Sequence, residues 1–140
     1  MIGSVIRFVD GQRREFPPVS VRGLASLHAE LAERRVAEVA RDCKALGMLH
    51  EDTLARMATA REDSQLATSI TRWAFTLEGA RAIVAASVGA ERADDMLDGL
   101  SPDDIAQVAL NLIGFHWDDE SSKWVRRSRA TAAPNGGAIG

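Results

Sequence analysis

The chain of 140 residues has no tyrosine, one cysteine, three histidines and four prolines, and each scarcity removes a class of structure or chemistry. The lone Cys43 excludes an intramolecular disulfide, and its place in an apolar helical pattern predicts a buried thiol in a reducing compartment. His28, His50 and His116 are far apart, with no pair at the i, i+4 spacing of a helical metal site, so no metal is expected. No stretch approaches the roughly 18 consecutive apolar residues of a membrane span. The opening Met1-Ile2-Gly3-Ser4 lacks the basic and long apolar parts of a secretory signal, which predicts a cytoplasmic protein without a membrane partner. A formal net charge of -3 gives no global attraction to phosphate backbones, so nucleic acid is not an expected partner.

The inventory of reactive groups is equally thin. There is no glycine-rich phosphate loop, no CxxC pair and no nucleophile elbow. Asp94-Asp95 and Asp103-Asp104 are paired carboxylates, but their places within or at the start of short helices suit the positive end of a helix dipole better than acid and base work. His116-Trp117-Asp118-Asp119 contains ligand types without the three or four convergent groups a metal needs. No catalytic residue and no cofactor site are expected, and the chain reads as a non-enzyme.

What is present is an ordinary globular balance, 46% hydrophobic and 26% charged, in a chain long enough for one core. The fold class expected is mainly α with a small N-terminal β-hairpin: an α+β domain over residues 1–117 with about six helices, then a flexible tail over 118–140. The hairpin spans 4–16, where Ile6 and Phe8 alternate with polar residues and Asp10-Gly11 suits a tight turn. Pro17-Pro18 ends it. Because an isolated hairpin is marginal in water, its apolar face, read as Ile6, Phe8 and Phe16, should pack on a helix or another chain.

Helices are expected over 21–46, 51–63, 65–74, 77–88, 91–98 and 102–113. Ser20, Thr76 and Ser101 are the N-cap candidates, and Ser101-Pro102-Asp103-Asp104 is the clearest start. In the first helix Leu24, Leu27 and Leu31 share one face, while Val36, Val39, Cys43 and Leu46 form an offset stripe at heptad-like spacing. Between them lies Glu33-Arg34-Arg35. The favoured reading is one long core helix with a solvated charge cluster; otherwise the helix bends around the core or each half meets a different neighbour.

Candidate interaction residues follow from apolar side chains with no assigned core partner. These are Ile6, Phe8 and Phe16 on the hairpin, Val36 and Val39 on the offset stripe, and Phe115 and Trp117 beyond the Gly114 helix stop. Trp73 is read as a cap on the core. The basic segment Lys123 to Arg129, which surrounds Trp124, is read as part of the tail, screened by the acidic residues before it.

The run from Val5 through Asp10-Gly11 and Pro17-Pro18 to Leu24 resembles the opening of tail assembly chaperones of long-tailed phages and prophages. Trp73-Ala-Phe-Thr-Leu-Glu-Gly-Ala-Arg-Ala82 and Leu100-Ser-Pro-Asp-Asp-Ile-Ala106 are similar to later helices of that family. The resemblance implies a non-enzymatic phage tail assembly chaperone in the host cytoplasm. Its implied partners are the tape-measure protein, whose apolar helices it would shield, and tail-tube subunits, with a homo-oligomer as a further expectation. A virion structural or connector subunit and a small phage-encoded inhibitor of a host protein complex are the competing expectations.

Overall fold

The computed structural model describes residues 3–126. It is an α+β arrangement in which β1 (Val5–Val9) and β2 (Gln12–Phe16) precede six helices and a second hairpin follows them. Asp10 and Gly11 both take positive φ, 51° and 79°, as a two-residue type I′ turn requires, so the Asp-Gly pair sets the register of the first hairpin. Val5 lies opposite Phe16 and Arg7 opposite Arg14.

That register corrects the expected apolar face. Side chains alternate across a strand, so Val5, Val9 and Phe16 share the inward face and are buried. Ile6 and Phe8 point the other way, and Phe8 remains 68% exposed. Phe16 is therefore core, fully enclosed, rather than a contact residue. Arg14 holds the hairpin to the domain: its guanidinium donates to the carbonyls of Met96, at 3.2 Å, and of Asp98, at the end of a helix. A cation there meets the negative end of the dipole.

The helices are α1 (Val21–Ala45), α2 (His50–Asp63), α3 (Ala67–Ala74), α4 (Leu77–Val88), α5 (Ala90–Leu97) and α6 (Pro102–Leu112). Three of their starts are capped as the sequence predicts. Ser20, Thr76 and Ser101 accept from the backbone N–H groups of Gly23, Gly79 and Asp104, at 2.9, 3.0 and 3.2 Å. The core lies around α4 and α6, whose Ile83, Val84, Val108, Leu110 and Leu112 are sealed from solvent. Trp73 is 5% exposed against it, the capping place expected of that ring.

The reading of α1 as one long core helix holds for its length but only for the packing of its first half. Leu27 and Leu31 join the main core, but Ala32, Val36 and Cys43 do not, although all three are buried. Their heptad spacing turns the second half of α1 toward α2, and the two helices pair as an antiparallel arm. No residue of α2 is buried. The charge cluster at the junction is not simply solvated: Arg34 bridges to Glu78 on α4 at 2.9 Å and to Glu30 at 3.3 Å.

The reading of the chain from residue 118 as tail is also corrected. β3 (Phe115–Asp118) pairs antiparallel with β4 (Lys123–Arg126), so the segment after α6 doubles back as a hairpin. Alternating Phe115, Trp117 and Trp124 supply an apolar face, and Asp118 accepts from the Ser121 hydroxyl and, at 3.3 Å, from the Glu120 N–H to tighten the turn. The remainder of the expected tail, including Arg127 and Arg129, lies outside the described residues.

Candidate protein-docking site

The second hairpin lies against α6 and brings together aromatic residues from three parts of the chain. Trp117 and Trp124 are direct cross-strand partners. Their rings meet edge to face, with centroids 5.8 Å apart and planes at 74°, the geometry that ring quadrupoles favour. Phe75, the C-cap residue of α3, adds a third ring. With Asp103, Ala106 and Gln107 of α6 they line an open cavity of about 390 Å³.

The rings are poorly covered for their size. Phe75 is 57% and Trp117 48% exposed, while Trp124 is half-buried and packs partly on the core. Leu77, at the start of α4, extends the apolar rim beside Phe75 and is 68% exposed. Phe75, Leu77 and Trp117 are thus large apolar side chains left exposed around this part of the surface. Aromatic anchors beside a concave surface are where interface energy concentrates.

The electrostatics of the cavity are acidic at one side and π-rich at the others. Asp103 stands in the first turn of α6, and its side chain makes no hydrogen bond or ion pair within the described residues. Arg126, on the ring-bearing face of β4, places its guanidinium carbon 6.0 Å from the centroid of the neighbouring Phe115 ring. His116 and Lys123 belong to the opposite face of the hairpin. The Nδ1 atom of His116 is buried without a hydrogen-bond partner, yet it does not line the cavity.

The expected interaction residues therefore fall in separate places. Trp117 lines the aromatic cavity, and Phe115 sits beside it, half-buried against the core. Ile6 and Phe8 form the outward face of the first hairpin. Val36 is enclosed between α1 and α2, while Val39 lines a second groove of about 330 Å³ there, with Cys43, Leu46, Met48 and Ala60. Phe75, 57% exposed, does not belong to the core. Trp124 is hidden in the sequence by the basic residues around it; its place beside Trp117 comes from the hairpin register.

Among the described residues, no group of three or more His, Cys, Asp or Glu side chains could hold a metal ion. Asp94 is held below the usual carboxylate range by its hydrogen bond with Arg81, reinforced by their charge attraction, and the pair is solvent-exposed on α4 and α5. No described helix is long and apolar enough to cross a membrane. Among known proteins, no family model, no curated sequence and no solved structure matches the chain.

Proposed function

We propose that this protein is a non-catalytic binder of other proteins, acting as a phage tail assembly chaperone in the host cytoplasm. The observation that carries the binding function is the solvent-open aromatic cavity formed by Phe75, Trp117 and Trp124. An apolar helix laid on these rings would bury area that the isolated chain leaves in water, at about 25 cal/mol per Å². The tape-measure client enters through the sequence resemblance, because such a protein presents long amphipathic helices before the tail tube encloses them.

The cavity is a better docking site than the outward face of the first hairpin for a physical reason. Ile6 and Phe8 lie on the outward face of a two-stranded sheet, whereas a concave surface desolvates a side chain on several sides. Direct binding tests the reading. Overlapping fragments spanning the tape-measure protein of the same genome should bind the full chain, and Trp117→Ala with Phe75→Ala should weaken binding by about tenfold or more while the helical spectrum is preserved. Absence of binding across the whole client would remove the chaperone function.

A further inference from the structure

We infer that the aromatic cavity recognises a cationic side chain, a lysine or arginine carried on the apolar face of the partner helix. The inference deepens the docking function proposed above and rests on it. Trp117 and Trp124, packed edge to face at 74°, line the cavity together with Phe75 as a third ring. The negative π-faces of such rings attract an ammonium or guanidinium group placed within about 6 Å of a ring centroid. The lining also includes Asp103, a carboxylate.

Charge complementarity fixes the sign of the ligand. None of the cavity-lining residues is basic, and the Asp103 carboxylate is without a partner in the described residues. The N-terminus of α6 lies nearby and opposes a cation, but its dipole is equivalent to only about half a positive charge. Asp103 in the cavity and Asp104 beside it in the same turn bring two negative ones, and the one guanidinium nearby, that of Arg126, is placed over Phe115. The local field therefore favours a cation.

The neighbouring ring supplies an internal precedent. Arg126 already lies over Phe115 on the same face of the hairpin, so a guanidinium is accommodated beside the Trp117–Trp124 couple. The cavity itself, at about 390 Å³, exceeds what one extended cationic side chain fills. The remaining space suits an apolar residue one helical turn away, packed on Phe75 and Ala106. A lysine or arginine followed by a leucine at i+3 or i+4 is the ligand pattern that results.

Two probes separate cation recognition from plain apolar docking: a short amphipathic helical peptide with one lysine in its apolar row, and the same peptide with norleucine there. Binding is read from the indole N–H signals of Trp117 and Trp124 by NMR, with the buried Trp73 as the internal fold control. The lysine peptide should bind about tenfold more tightly than its isostere, and the preference should shrink in high salt. Asp103→Asn and Trp124→Leu should each reduce that preference. Asp103 is exposed, so its variant remains informative if the loss of Trp124 disturbs folding. Equal affinity for the two peptides would overturn cation recognition and leave apolar docking standing. No shift with either peptide would overturn both.

Discussion

Gly79 lies where α4 begins beneath Trp73, and the space for a larger side chain does not exist. A Cβ at this position would come within 2.0 Å of the Trp73 carbonyl oxygen and 2.5 Å of its carbonyl carbon. That carbonyl also accepts from the Thr76 N–H and hydroxyl, at 2.9 and 2.6 Å, which ties the backbone in place. Alanine is favoured over glycine in a helix by up to about 1 kcal/mol, but overpacking against fixed backbone costs about 1–3 kcal/mol or more. Gly79→Ala should therefore destabilise by about 2 kcal/mol, measured as a lower urea midpoint with an unchanged slope. In sequence this glycine reads as helix punctuation, because nothing local announces the approach of Trp73.

Asp94 gives a second prediction for a single residue, in pH. Arg81 binds it through two nitrogens, at 2.7 and 3.1 Å, and the hydrogen bond lowers its pKa below the ordinary value. A depressed carboxylate contributes its stabilisation above the unfolded-state pKa and loses it as pH falls through the folded value. In an NMR titration Asp94 should titrate below the usual carboxylate range, and Arg81→Gln should return it there. Because the pair is solvent-exposed, its effect on unfolding should remain small.

Among the elements, the α1–α2 arm separates from the rest by how little it buries. The heptad spacing of Val36, Val39, Cys43 and Leu46 is legible in sequence, but which neighbour it serves is not. An apolar stripe specifies that something must cover it, while the loop geometry after α1 decides what. Here Gly47 takes φ 68° and the chain reverses, so α2 becomes the partner. Cys43, 3% exposed inside the arm, reports its opening. Thiol labelling should be slow in the native protein, and Val36→Ala, by thinning the α1–α2 contact by about 1–2 kcal/mol, should accelerate it roughly tenfold. Labelling at an unchanged rate would mean that Cys43 is exposed by a route other than separation of α1 from α2.

The N-cap signals behave differently from the stripe because they are local. Ser101 makes its hydrogen bond within three residues, and Pro102 and the two aspartates act in the same turn. Replacing Ser101 by alanine should cost about 1 kcal/mol, read as a loss of thermal stability with the fold retained. Because a cap forms without a neighbouring helix, all three serine and threonine caps are legible in the residues alone. The turn of the first hairpin is legible for the same reason, through Asp10-Gly11, but the expected apolar face joins residues from both sides of the sheet. Pairing Val5 with Phe16 keeps Phe16 inward as expected and sends Ile6 and Phe8 outward.

For the molecule as a whole, the second hairpin closes the domain rather than trailing from it. Phe115 and Trp124 pack against the core beside α6. A chain ending at Gly114 should therefore be less stable than one ending at Arg126 by about 2–4 kcal/mol, seen as a fall in Tm of roughly 10 °C. Equal stability of the two truncations would mean that these residues contribute nothing to the core. The candidate site depends on the same closure, since Phe75, Asp103 and Trp117 are brought to one cavity only when the hairpin folds over α6.

The order of the first hairpin and the six helices, their caps and the single core are all written in the amino-acid sequence, because propensity, turn chemistry and periodicity act within a few residues. Three outcomes arise only in the packed molecule: α1 serves two neighbours, the residues after Gly114 return as a hairpin, and three rings and a carboxylate share one cavity. They depend on side chains separated by tens of residues, whose meeting is set by the packing of whole elements and leaves no local signature.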